Sequence, residues 1–138
     1  SEMKKIFALF FFITFLNACS SDSDIENTSF ELLPIQDVQL PDTFKAGVQT
    51  VIYLKYKRPT NCHSFNGIYY EKNGNTITMA IDALYQHLSN CEAVNENPFE
   101  VSYPLFIKTS GAHVLRFWQG KNSQGDDQFL IREIDVQE

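Results

Sequence analysis

The stretch GIYYEKNGNTITMAIDALY, residues 67–85, decides the fold class. Its second half has a period of two, with Ile77, Met79, Ile81, Ala83 and Tyr85 on one side and Thr76, Thr78, Ala80 and Asp82 on the other. This is the period of a β-strand rather than a helix. Asn73-Gly74 precedes it between two apolar runs and is a strong hairpin signal, because both residues tolerate positive φ. The stretch predicts two antiparallel strands joined by a tight turn.

The same period recurs along the rest of the chain from residue 30. Alternating segments cover residues 50–57, 99–107 and 129–136, and turns rich in glycine and polar residues separate the later ones. About seven short strands in a segment of about 110 residues are typical of an antiparallel β-sandwich. We therefore predict an immunoglobulin-like β-sandwich over residues 30–138, with the single Trp118 in its core.

The first residues have the organisation of a signal peptide. Ser1 and Glu2 precede Met3, the expected initiator, and we interpret them as a remnant. Two lysines follow, and then an apolar run over residues 6–16. As a helix this run would be about 16 Å long, whereas the hydrocarbon core of a bilayer is about 30 Å thick. It is therefore too short to span a membrane and suits the apolar region of a signal peptide.

The residues Leu16-Asn17-Ala18-Cys19 resemble a bacterial lipobox. The resemblance implies a signal peptide over residues 1–18, cleavage before Cys19, and attachment of diacylglycerol to its thiol. Several acyl chains anchor a protein durably, because each buried methylene contributes about 0.8 kcal/mol. The membrane is then the first expected partner. The alternative is a secreted protein with a free Cys19.

A polar, acidic segment follows the lipobox. Residues 20–29, SSDSDIENTS, have too few apolar side chains to offset the entropy of ordering. We expect a disordered tether over residues 19–29. The Ser-Asp repeats also resemble the acidic export signals of surface lipoproteins from Bacteroidota. That resemblance implies the outer membrane, with periplasmic and outward orientations both open.

The chain has three cysteines. If Cys19 carries lipid, Cys62 and Cys91 remain as a pair in an oxidising compartment. We predict a disulfide between them that closes a loop of about 30 residues and contributes about 3–4 kcal/mol. The alternative is two separate buried thiols.

Charge and motifs narrow the function. The net charge is −6, and the one basic cluster (Lys55, Lys57 and Arg58) suits a solvated strand, so nucleic acid is not an expected partner. No GxSxG, SxxK or HExxH motif occurs beyond the predicted signal peptide. His63, His87 and His113 have no metal-ligand spacing. We expect no cofactor and no catalysis, although carboxylate pairs formed only in the fold stay open.

The loop over residues 121–127 is the candidate metal site. Asn122, Gln124, Asp126 and Asp127 carry the oxygen ligands that Ca²⁺ prefers, and Gly125 can turn the chain. The loop lacks the spaced carboxylates and the distal glutamate of an EF-hand. A solvated hairpin turn is the favoured alternative.

Phe65, Tyr69 and Tyr70 are the candidate binding residues. Aromatic side chains on a sheet face can stack on sugar rings or contact a partner protein. They can equally fill a two-sheet core. Alternation along a regular strand places either Tyr69 or Tyr70 outside.

Two stretches, TNCHSFNGIYYEKNGNT (60–76) and VLRFWQGKNSQGDDQFL (114–130), resemble small lipoproteins of Bacteroidota. The resemblance implies a lipid-anchored outer-membrane protein with one sandwich domain. We expect a non-catalytic binding or structural module of the cell envelope. A carbohydrate- or peptide-binding accessory domain that uses residues 65–70 is the alternative, and a small envelope hydrolase is a third.

Overall fold

The computed structural model describes residues 27–138, so the predicted signal peptide, Cys19 and most of the predicted tether lie outside the described residues. Nine strands and no helix occur within this range. The strands are β1 (Thr28–Leu33), β2 (Asp37–Gln39), β3 (Phe44–Lys45), β4 (Gln49–Tyr56), β5 (His63–Asn73), β6 (Thr76–Gln86), β7 (Phe99–Phe106), β8 (Gly111–Lys121) and β9 (Asp127–Gln137).

The strands form two sheets. In the large, six-stranded sheet β6 pairs with β5 along one edge, while β8 and β1 share its other edge. β9 follows β8, and β3 follows β9. The small sheet has the order β2-β4-β7. The predicted all-β sandwich is confirmed at the level of two sheets, with nine strands where about seven were expected.

Most strand pairs are antiparallel, as predicted, but two are parallel: β6 with β8, and β3 with β9. The short strands β2 and β3, with three and two residues, escaped the sequence analysis because a period of two needs a longer run to be visible.

The core lies between the sheets. Alternate residues of β4 and β6 are fully buried, as the sequence predicted for Ile52, Leu54, Ile77 and Ile81. The period of two is thus produced by burial of one face of each strand.

The prediction that Trp118 packs in the core was wrong. Phe117 is 0% exposed and belongs to the core cluster, whereas Trp118 is half-buried. Side chains of successive strand residues point to opposite faces, so Trp118 lies on the outer face of the large sheet, away from the small sheet.

The predicted hairpin joins β5 to β6 through a two-residue loop, Gly74-Asn75, because Asn73 pairs with Thr76. Gly74 has φ of 60°, and no residue other than glycine has positive φ among those described. This is the pattern of a type II′ turn. Gly74 alone therefore has the positive φ that the sequence analysis allowed for both Asn73 and Gly74.

The predicted Cys62–Cys91 disulfide is present, with the two Cα atoms 5.6 Å apart. It links the residue before β5 to the segment after β6.

The domain begins two residues earlier than predicted. β1 begins at Thr28, so Thr28 and Ser29 belong to a strand and not to the predicted tether. Ser29 pairs in register with Tyr85.

Candidate functional site

Four residues from four strands form a row across the outer face of the large sheet. Tyr69 pairs with Ala80, and Trp118 pairs with Phe129. The β6–β8 register, in which Met79 lies beside Phe117, places Trp118 next to Ala80. The row therefore runs Tyr69, Ala80, Trp118, Phe129, and its one small residue lies between the two large aromatic side chains.

A groove of about 640 Å³ lies over this row. Aromatic, aliphatic and charged side chains line the groove. The lining residues are Glu31, Leu32, Tyr69, Glu71, Thr78, Ala80, Trp118, Lys121, Asp127 and Phe129. Ala80 is 1% exposed although it faces outward, because its larger neighbours cover it. A larger side chain at this position would fill the floor of the groove.

Hydrogen bonds fix the orientation of Trp118. Its Nε1 donates to Asp127 Oδ1 at 3.0 Å, and Lys121 Nζ donates to the same oxygen at 3.0 Å. These bonds, first that from Lys121 and then that from Trp118, hold the pKa of the Asp127 carboxyl below its usual value. The indole ring is thus positioned before any ligand arrives.

A β-bulge explains how Lys121 reaches this cluster. The β8–β9 register shifts between Trp118 and Lys121, with Trp118 opposite Phe129 and Lys121 opposite Asp127. Without the extra residue, Lys121 would point to the inner face, because it lies three positions after Trp118. The bulge places both residues on the outer face beside Asp127.

Tyr69 is oriented by a second acid. Its hydroxyl donates to Glu71 Oε2 at 2.9 Å, and this hydrogen bond is the main cause that raises the pKa of Tyr69. Tyr69 is 40% exposed. The face of the tyrosine ring is therefore accessible, while its hydroxyl is held by the hydrogen bond to Glu71.

A cation–π contact closes one end of the row. The Arg116 guanidinium lies 3.8 Å from the centroid of the Phe129 ring. Such a contact uses one face of the ring and neutralises part of the acidic surroundings. Phe129 with Arg116 therefore acts as a wall, and Tyr69 and Trp118 are the accessible platforms.

The structure does not bring the three predicted binding residues together. Tyr69 belongs to the groove, whereas Phe65 and Tyr70 turn toward the small sheet, where Phe65 lies 6.1 Å from Tyr56 and Tyr70 stacks on Tyr103 at 6.0 Å, both between ring centroids. A register shift at Asn66 puts Phe65 and Tyr70 on the same side of β5.

The 121–127 loop is closed by its own hydrogen bonds. The Asn122 side-chain oxygen accepts from the backbone N–H groups of Gln124 (3.0 Å) and Asp126 (2.9 Å). Asp127 accepts from Lys121 and Trp118. These contacts are those of a solvated hairpin turn, and the cation site at Asn122, Gln124, Asp126 and Asp127 stays a prediction.

His63 has the neighbours that a hydrolase would give a general base. Its Nδ1 lies 2.8 Å from Thr60 Oγ1, and its Nε2 lies 2.7 Å from Glu31 Oε2. However, the histidine is 4% exposed, and Thr60 Oγ1 also accepts the backbone N–H of Cys62 at 3.1 Å. The group lies at the disulfide end of the domain, where these hydrogen bonds join β1 to the start of β5.

Sequence reasoning missed Trp118 and Phe129 as site residues. The available signal was the alternation of β8, in which Leu115 and Phe117 are on one side and Arg116 and Trp118 on the other. The partnership of Trp118 with Tyr69 has no sequence signal, because it depends on the parallel pairing of β6 and β8.

Comparison with known protein families, curated proteins and solved structures found no match to this chain. Within residues 27–138 there is no helix long and apolar enough to cross a membrane. Nor does any group of three or more His, Cys, Asp or Glu residues in that range have a metal-binding arrangement. The groove on the outer face is the candidate site, because it combines two accessible aromatic rings with the carboxylates that hold them.

Proposed function

We propose that this protein is a non-catalytic binding module, anchored by lipid to the outer membrane of a bacterial cell envelope, and that the outer-face groove is its binding surface. The observation that carries this function is the pair of accessible aromatic rings, Tyr69 and Trp118, each held in place by a hydrogen bond to an acid. Pre-oriented aromatic platforms reduce the entropy lost on binding.

The chemistry of the groove supports holding a ligand rather than transforming one. Glu71 and Asp127 both accept hydrogen bonds from neighbouring side chains, as expected of groups that position a surface. The aromatic side chains stay half-exposed on a sheet face, which is the usual composition of a recognition surface. The single-domain sandwich supplies a rigid support for it.

The lipobox resemblance supports the anchor, and metabolic labelling tests it. Cells that express the full chain are grown with labelled palmitate, and we expect label in the wild-type protein and none in Cys19→Ala. Cys62→Ala with Cys91→Ala is the matched control, because it also replaces cysteines but should keep the label. Label retained by Cys19→Ala would refute the anchor.

The binding surface is tested by retention of envelope components on the immobilised protein. Tyr69→Ala and Trp118→Ala should lose components that the wild type retains. Tyr53→Ala is the matched control, since Tyr53 is also 40% exposed but lies on the outer side of the small sheet. Equal losses in Tyr69→Ala and Tyr53→Ala, with both variants folded by circular dichroism, would remove the groove from consideration.

A further inference from the structure

We infer, building on the proposed function, that the groove binds a neutral oligosaccharide whose sugar rings stack on Trp118 and Tyr69. The faces of aromatic rings carry negative partial charge, and the C–H groups on a pyranose face carry positive partial charge, so the two stack favourably. Trp118 offers the largest such face in the chain. Its only N–H is already used by Asp127, so binding costs it no hydrogen bond.

The spacing of the platforms indicates a chain of sugars rather than a single ring. Tyr69 on β5 and Trp118 on β8 are separated by β6, which places their backbones two strand spacings apart, or about 9.6 Å. A single sugar ring is too small to cover both. Ala80 lies between them on the floor of the groove, where the linking sugar would pass, and the Thr78 hydroxyl lies one row away in the same groove.

Unused carboxylate oxygens provide acceptors for sugar hydroxyls. Tyr69 uses Glu71 Oε2, and Trp118 and Lys121 both use Asp127 Oδ1. Glu71 Oε1 and Asp127 Oδ2 have no hydrogen-bond partner among the described residues. A carboxylate can accept about four hydrogen bonds in total, so each acid can bind ligand hydroxyls without losing its present partner.

The charge of the groove selects against anionic ligands. Its lining carries three acids, Glu31, Glu71 and Asp127, and one base, Lys121, which is paired with Asp127 at 3.0 Å; a second base, Arg116, lies beside the lining over the Phe129 ring. Acids outnumber bases here by three to two, so a uronic acid or phosphate group would meet a net negative charge. Neutral sugars carry hydroxyl donors and avoid this repulsion.

The backbone of the groove argues against an extended peptide. Peptides that bind sheets pair their main chain with a free strand edge. The middle of the groove floor is formed by β6 and β8, and both edges of each are paired with neighbouring strands, whereas β5, which carries Tyr69, has one edge unpaired among the described residues. A peptide paired with the free edge of β5 would lie beside Tyr69 rather than over Ala80 and Trp118, where side chains alone are available for recognition.

The test is affinity electrophoresis of the full chain in detergent through gels that contain soluble neutral polysaccharides: glucans, mannans and N-acetylhexosamine polymers. Polygalacturonate and a basic peptide polymer are the comparison ligands. We expect at least one neutral polysaccharide to retard the wild type. Tyr69→Ala should weaken that binding about tenfold, Trp118→Ala should abolish it, and Trp118→Phe should keep part of it.

Tyr53→Ala should bind as the wild type does, and circular dichroism checks that every variant is folded. Stronger binding to polygalacturonate or the peptide polymer than to every neutral polysaccharide would overturn the inference. So would unchanged binding of Trp118→Ala, or no retardation by any neutral polysaccharide. In the last case, envelope components retained through Tyr69 and Trp118 would leave the proposed function standing, and their absence would remove both.

Discussion

Phe117 and Trp118 are adjacent in β8 but lie on opposite faces of the large sheet: Phe117 fills the core, and Trp118 forms part of the outer groove. One strand therefore supplies stability with one residue and the candidate binding surface with the next. Any one-residue slip of β8 against β6 or β9 would exchange the two roles.

Substitution of these neighbours should separate stability from binding. Phe117→Ala leaves a cavity in a closely packed core and should lower the free energy of unfolding by about 3–5 kcal/mol. Trp118→Ala should cost less, because its side chain is half-exposed, while it removes ligand binding. Urea denaturation followed by circular dichroism measures both; a larger loss for Trp118→Ala than for Phe117→Ala would contradict the assigned faces.

The Cys62–Cys91 disulfide should contribute strongly to stability, because it joins residues 29 positions apart in the sequence. Closing a loop of this size restricts the unfolded chain and is worth about 3–4 kcal/mol. Cys62→Ala with Cys91→Ala should lower the free energy of unfolding by that amount, and reductant should have the same effect on the wild type. Cys19→Ala is the control and should stay sensitive to reductant; equal wild-type stability with and without reductant would contradict the prediction.

The β5–β6 turn should depend on Gly74. Its φ of 60° lies in the left-handed region, which costs a residue with a Cβ about 1–2 kcal/mol. Gly74→Ala should therefore destabilise the domain by about 1 kcal/mol in urea denaturation. Gly67→Ala is the control, because Gly67 has no positive φ and an added Cβ would contact nothing within 4 Å. Comparable losses in both variants would argue against the observed turn.

Much of the fold could be predicted because burial of one face imposes a period of two. This period located β4, β6, β7 and β9 to within a few residues, and the cysteine count predicted the disulfide. The row that contains Tyr69 and Trp118 could not be predicted, because it depends on the parallel β6–β8 pair, which brings together residues that are far apart in the sequence.

The two bulges place side chains on faces that an unbroken alternation would not predict. Each inserts a residue that reverses which side the following side chains face, at Asn66 in β5 and after Trp118 in β8. The bulge at Asn66 places Tyr69 on the face opposite Phe65, and it leaves Phe65 and Tyr70 on the same face. The second brings Lys121 to Asp127, within a stretch that the sequence suggested as a cation-binding loop.

The hydrogen bonds to Asp127 should make the groove sensitive to acid. The ordinary pKa of this carboxyl is 3.8, and hydrogen bonds from Lys121 and Trp118 lower it in the folded protein. Because the folded pKa is the lower one, the stability contributed by the carboxylate is present above pH 3.8 and is lost as the pH falls through the folded pKa. The difference in unfolding free energy between the wild type and Asp127→Asn should therefore be constant near neutral pH and shrink below 3.8, and Trp118 fluorescence should change over the same range.

Asp126→Asn is the control. It makes the same charge change beside Asp127, at a carboxylate without a hydrogen bond among the described residues, and should show neither effect. If the difference in unfolding free energy between the wild type and Asp127→Asn grew as the pH fell, the assigned contacts would be contradicted, because the folded state would then favour the protonated acid.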